Sequence, residues 1–272
     1  MTVIAVDWSG RRVGERRYLW LAEAAGGTLL RLECGRTREE LVTELVARAA
    51  DDPPSVVGFD FSFSLPAWFL DQQGHAGAAE LWAAAAVDGE RWLRECPRPF
   101  WGRPGRRRPD GEQLRATEAA LAAVGGIRPK STFQIGGAGS VGTGSVRGWP
   151  ALVRLREAGF AIWPFDRPAS PPVAVEIYPR VFTGPVVKSS GSARAGVLDA
   201  RSPALRPELR DRAVASEDAF DAAVSALAMS IHENQLRTLA RVDDEISRRE
   251  GRVWTPTDEH NVMSSAPPVA TS

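Results

Sequence analysis

Apolar and polar positions along the 272-residue chain alternate with two periods, and the order of those periods predicts the architecture. Residues 2–8 (TVIAVDW) are a β-branched run that stops at Ser9-Gly10, a first strand with Asp7 at its C-terminal end. A second run, RRYLWLAEA, is joined to a third, TLLRLEC, by Gly26-Gly27, two residues able to supply the positive φ angles of a tight hairpin. From Thr37 the period turns helical. TREELVTELVARAA puts Leu41, Leu45 and Val46 on one stripe, with Thr37 as N-cap and Glu40 completing a capping box, and Asp51-Asp52-Pro53-Pro54 stops it. SVVGFDFSFSLP is a fourth strand ending in Pro66.

This order opens an α/β domain, but not a doubly wound one, which would alternate strand and helix from the start. Residues 67 to about 150 interrupt the alternation with the helical stretch AAELWAAAAVDGERWLREC, the basic loop PRPFWGRPGRRRPDG, a second helix EQLRATEAALAAVGG and a glycine-rich loop. They predict an insertion or an elaborated lid. A short helix from Pro150 to Ala158 and the strand-like GFAIWPF follow, then PPVAVEIYP, a strand whose apolar residues flank Glu176. The last predicted element is the helix SEDAFDAAVSALAMSIHENQLRTLA, with Phe220, Val224, Leu227 and Ile231 as its core stripe. A single domain over residues 1–254 is expected, and a disordered tail over 255–272, which lacks apolar period.

Composition acts mainly by exclusion. Lys plus Arg number 34, as do Asp plus Glu, so any attraction to nucleic acid or membrane must come from a local patch. Nearly all the positive charge is arginine; Lys130 and Lys188 are the only lysines. Cys34 and Cys96 have neither disulfide nor metal spacing, and His75, His232 and His260 are scattered. No segment is a plausible bilayer span, and a cytoplasmic protein without a membrane partner is expected. The chain carries no signal for oligomeric state.

The candidate chemistry lies in carboxylates on apolar strands. Asp60 shares a face with the small residues Gly58, Ser62 and Ser64, opposite Val57, Phe59, Phe61 and Phe63. A half-buried acid there costs several kcal/mol unless a cation or donors compensate it. Asp7 sits beside Ala5 and Val3, although an Asx-turn acid fits D-W-S-G equally well. Glu176 sits beside Ala174 and is equally suited to pairing with Arg180. On the last helix Asp218 and Asp221, three apart, share one face; Ser216 as N-cap and the helix dipole account for Asp218 better than for Asp221. Acids at three strand ends plus D-x-x-D on a late helix are what oxygen ligation of two Mg²⁺ or Mn²⁺ ions about 4 Å apart requires.

The segments VIAVDWSG, VVGFDFSFSLP, AVEIYPRVF and SEDAFDAAVSALA resemble, in that order, those of the ribonuclease-H-like superfamily, and within it the predicted nuclease family catalogued as domain of unknown function 429. The resemblance implies an α/β fold with a mixed five-stranded sheet in the order 3-2-1-4-5, helices on both faces and an insertion between strands 4 and 5. It implies metal binding by Asp7, Asp60, Asp218 and Asp221, and catalysis by these acids with Glu176. The implied activity is divalent-metal-dependent hydrolysis of phosphodiester bonds in DNA or RNA. Contact with that substrate would come from Trp101, Arg103, Arg106, Arg107 and Arg108 of the basic loop, where Arg98 and Phe100 also lie, and from Lys130 and Lys188. Two alternatives stay open: a phosphotransferase or ATP-binding protein of the actin type, using the DWSG turn, and a catalytically silent nucleic-acid binder.

Gly137, Gly139 and Gly142 spell G-x-G-x-x-G, with Asp166 where a ribose-binding acid would stand. The helix expected to start at Pro150 begins too late to cradle a pyrophosphate, so no dinucleotide cofactor is expected and the stretch reads as a flexible loop beside the acidic site.

Overall fold

The computed structural model describes residues 2–51, 56–137, 139–168 and 171–257. The chain runs β1 (Val3–Asp7), α1 (Glu15–Tyr18), β2 (Trp20–Ala25), β3 (Thr28–Glu33), α2 (Arg38–Asp51), β4 (Val56–Phe59), α3 (Ala67–Gln73), α4 (Ala78–Glu95) and α5 (Ala116–Ala120). It continues with α6 (Gly142–Glu157), β5 (Ala161–Ile162), β6 (Val173–Glu176), α7 (Pro179–Thr183), α8 (Gly191–Arg201), α9 (Pro207–Ala215), α10 (Glu217–Ile231), α11 (Glu233–Arg237) and α12 (Glu245–Glu250). The strands form one mixed six-stranded sheet in the order β3-β2-β1-β4-β6-β5.

The locally encoded elements form as expected. Gly26 and Gly27 take φ of 54° and 78° in the β2–β3 hairpin. At the start of α2 the Glu40 N–H donates to Thr37 Oγ1 at 3.1 Å and the Thr37 N–H to Glu40 Oε2 at 2.9 Å, the reciprocal capping box. The stop at Asp51 to Pro54 falls largely outside the described residues.

The sheet has a packed layer on each side. One face presents Ile4, Val6, Val57 and Phe59 to α2, α4 and α6; the other presents Val3, Ala5, Val173 and Val175 to α10 and its neighbours. Strand alternation divides the two sets, since successive residues point to opposite faces.

Six expectations need correction, the first being the last helix, which ends as α10 at Ile231 and leaves that residue exposed while Phe220, Val224 and Leu227 are buried. The expected fifth strand is β6, and the two-residue β5 adds a sixth at the edge. Arg16 to Tyr18 are helical, where Gly14 at φ 72° turns the chain and Arg16 reaches forward to Glu40. The fourth strand ends at Phe59, leaving Asp60 just beyond it. The helix expected over Glu112 to Gly126 shrinks to α5. And α6 starts at Gly142, with Pro150 inside it, where glycine and proline ordinarily break a helix. Its glycines answer close approaches: a Cβ on Gly148 would lie 2.5 Å from the Phe61 ring, and one on Gly142 would strike the Thr132 carbonyl. Nor is the inserted region peripheral, since Phe69, Trp82, Phe133 and Trp149 stand in the core beside β1 and β4. Of the tail, Thr257 is hydrogen-bonded to Gln235, and residues 258–272 lie outside the described ones. No described helix is long and apolar enough to cross a membrane.

Candidate active site

Two neighbouring strands begin the site. The parallel register pairs Ala5 with Gly58 and Val6 with Phe59, so Asp7 and Asp60 end up side by side, both on the face that α10 covers. The Asp60 N–H donates to the Val6 carbonyl at 3.3 Å, and the Trp8 N–H donates to Asp60 Oδ1 at 2.7 Å, fixing the carboxylate. Gly58 is what lets α10 lie so close, for a Cβ there would sit 2.7 Å from Met229 Sδ. Ser216 caps α10 by accepting the Ala219 N–H at 2.9 Å, which sets Asp218 and Asp221 on one face of its first turns.

The four aspartates share one electrostatic environment. Burial is the largest cause raising the pKa of each above the ordinary aspartate value. For Asp7 the charges of Asp60, Asp221 and Asp218 add to it; for Asp60 the Trp8 N–H opposes it. Lys188 lowers all four and is ion-paired with Asp221 Oδ2. Asp221 is 7% exposed, and its other oxygen, Oδ1, is buried without a hydrogen-bond partner.

Asp7, Asp60 and Asp218 border a cleft of about 750 Å³. One rim is the turn Ser9-Gly10-Arg11 with Tyr18, the Arg11 guanidinium lying 4.3 Å from the Tyr18 ring centre. Arg103, the glycine loop and the first turn of α6 also line it. Trp8 Nε1 donates to the Gly144 carbonyl at 3.1 Å, and a Cβ on Gly10 would be 2.5 Å from Gly144 N, so the DWSG turn and the start of α6 are in direct contact. The late-starting helix that argued against a phosphate cradle is thus absent. Yet the Gly142 N–H is already engaged by the Gln134 carbonyl at 3.0 Å.

The predicted residues separate. Glu176 pairs in register with Phe59, not with Asp60, and so points to the opposite face of the sheet. There it receives the Phe63 N–H at 2.9 Å and a two-pronged ion pair from the fully buried Arg115. Arg180, the alternative partner that the sequence left open, donates to the Gly184 and Val186 carbonyls. Burial opposes the charge on Arg115, but Glu176 and Glu118 outweigh it and hold the guanidinium pKa above ordinary. In the basic loop Arg103 borders the cleft, while Arg106, Arg107 and Arg108 are exposed. Its aromatic residues are no stacking platform: Phe100 is buried among Phe69, Trp92 and Phe133, and Trp101 packs half-buried against the core. Lys130 stands against Gly139 of the cleft wall. Arg11, Tyr18 and Gly10 were missed; Gly10 was visible in DWSG, the other two carried no local signal.

The donor set is all carboxylate oxygen, which suits hard cations such as Mg²⁺ and Mn²⁺. The orphaned buried oxygen of Asp221 marks a polar demand that the described residues do not meet. Among the described residues, no three His, Cys, Asp or Glu side chains are gathered closely enough to hold a metal ion as they stand. The chain matches no protein-family model, no curated protein and no solved structure.

Proposed function

We propose that the chain is a cytoplasmic nuclease with a ribonuclease-H-like core that hydrolyses phosphodiester bonds of DNA or RNA with the help of Mg²⁺ or Mn²⁺. The observation that carries this is the convergence of Asp7, Asp60 and Asp218, from two strand ends and one helix, on a cleft rimmed by Arg11 and Arg103, with Asp221 one turn further along that helix. A bound divalent ion supplies Lewis-acid charge neutralisation and a nucleophilic water at neutral pH. The four aspartates would hold it, the Trp8 N–H keeps Asp60 oriented, and Arg11 and Arg103 offer charge to flanking phosphates. Glu176 takes no part, being spent on Arg115. Two free thiols, Cys34 and Cys96, fit a reducing compartment.

The test is a panel of labelled single-stranded, double-stranded, hybrid and branched DNA and RNA incubated with Mg²⁺ or Mn²⁺. Cleavage of at least one substrate is expected, reduced more than about 100-fold in Asp60→Asn, as for loss of a carboxylate that positions a catalytic ion. A panel left intact, or cut equally by the variant, overturns the proposal. One observation favours a second function, nucleotide binding: the glycine loop, with Gly137 and Gly139 at φ 80° and 68°, lines the same cleft as the DWSG turn. Tight ATP binding without cleavage would select it.

A further inference from the structure

The turn that follows β1 is held from outside the cleft it lines. Arg38, on α2, donates through Nη1 to the Ser9 carbonyl at 2.7 Å and to the Arg11 carbonyl at 2.9 Å. Arg147, on α6, donates to the Gly10 carbonyl between them and is itself clamped by Glu90, at 2.6 and 2.9 Å. Arg38 is anchored in turn, for Glu15 accepts its backbone N–H and lies 3.3 Å from its guanidinium. The Arg38 side chain is 17% exposed and borders a second cavity, of about 480 Å³ between α2, α4 and α6, and not the cleft of the aspartates. The Ser9 and Arg11 carbonyls are thus drawn to the side of the turn away from that cleft. In a planar trans peptide the N–H points opposite to the C=O. The Gly10 and Arg12 N–H groups are therefore turned away from Arg38, and neither has an acceptor among the described residues; the Arg11 N–H donates to Ser9 Oγ at 3.2 Å. Ser9, Gly10 and Arg11 themselves border the cleft.

We propose that Arg38 is a positioning residue: by holding the Ser9 and Arg11 carbonyls back from the cleft, it leaves the Gly10 N–H and the Arg11 guanidinium to take a phosphate oxygen of the substrate. This rests on the cleft receiving a phosphodiester, and names the group that orients the backbone there. Backbone N–H groups gathered in a turn are a recurrent seat for anions. A turn free to rotate its peptides would instead offer carbonyl oxygens to an anion that already faces three aspartates. The same segment begins at Trp8, whose N–H fixes Asp60, so one stretch of backbone sets both the carboxylate and the phosphate seat.

Amide NMR of the ¹⁵N-labelled protein, titrated with pyrophosphate in Mg²⁺, tests it. In the wild type the Gly10 and Arg11 amide resonances should move and saturate. Arg38→Met, which removes no group from the cleft, should weaken pyrophosphate binding about 10-fold, as for loss of a hydrogen bond to an anion. Arg38→Lys, which can still donate to a carbonyl, should recover part of that loss; circular dichroism melting shows which variants are folded. Gly10 and Arg11 amides that stay still in the wild type, a measurement that needs no variant, overturn the proposal, as does undiminished affinity in folded Arg38→Met. If the amides and variants respond as expected while no nucleic acid is cut, the nuclease function falls and the phosphate seat stands. If nucleic acid is cut and the amides stay still, the seat alone falls.

Discussion

Two groups of carboxylates, one buried and one half-buried, lie on opposite faces of the same sheet, and they differ in how completely they are satisfied. Around Arg115, Glu176 accepts from the guanidinium and from the Phe63 N–H, and Glu118 accepts from the Arg115 N–H at 2.9 Å and from Ser62 and Thr132. Glu250 completes the group by accepting the Ala67 and Ala116 N–H groups, both at 2.6 Å. Around Asp7 and Asp60, Lys188 is ion-paired with Asp221 alone, and Asp221 keeps an unpartnered oxygen. The first arrangement is finished, and a ligand would have nothing to add to it. The second is short of positive charge, and that shortage, not burial as such, distinguishes a binding site from a structural network.

The contrast can be broken most forcefully at Arg115. Replacing it with Met strands Glu176 and Glu118 in the core, and urea unfolding should show a loss of about 3–5 kcal/mol; a near-normal midpoint would mean the network is dispensable. Neutralising one acid in each group should move stability in opposite directions. Glu176→Gln removes a charged partner from Arg115 and should cost about 1–3 kcal/mol. Asp60→Asn, in chelator, relieves repulsion and should raise the thermal midpoint by about 2–4 °C, the equivalent of about 1 kcal/mol in a chain of this size.

The pH dependence sharpens the same point. The folded pKa of each clustered aspartate lies above its ordinary value of 3.8, so the folded state binds the extra proton. In chelator, stability from this cluster should therefore be highest at low pH and decline as pH rises from about 3.8 through the raised values, and Mn²⁺ or Asp60→Asn should flatten the decline. Glu33 and Glu40, lowered to about 2 by Arg31 and Arg16, work with the opposite sign: their contribution is present above 4.5 and lost as pH falls towards 2. The smallest effect belongs to Arg106, Arg107 and Arg108. Their joint replacement by Ala should leave stability within about 0.5 kcal/mol, while the salt dependence of polyanion binding loses about one unit of slope for each arginine that touches a phosphate.

What was legible in the sequence was local. Thr37 with Glu40, Gly26 with Gly27, and Asp218 with Asp221 each lie within one turn, and each does what its spacing predicts. Strand alternation likewise sorted Asp7 and Asp60 among small neighbours. It said nothing of how one strand registers against another, and it is the pairing of Phe59 with Glu176 that sends this acid to the far face. Helix α6 was hidden for a similar reason. Its glycines look like breakers until Phe61 and Thr132, distant in sequence, are seen pressed against them. Arg115 and Glu118, three apart, have the spacing of an ordinary surface pair, and only the packing of Glu176 and Glu250 around them makes it a core.

A guanidinium that binds carbonyls instead of carboxylates keeps its formal charge uncancelled by its partner. Arg180, Arg194 and Arg201 all do so, folding back on the segment from Phe182 to Lys188 through its Phe182, Gly184, Val186 and Lys188 carbonyls. That flank therefore holds positive charge beside the acids of the cluster, where Arg180 and Lys188 lower the pKa of Asp221, and the field of such charges reaches about 8 Å in solution at physiological ionic strength. A polyanion would be drawn towards it by diffusion before any contact forms. Its capture rate should stay salt-dependent even after every exposed arginine of the basic loop has been removed.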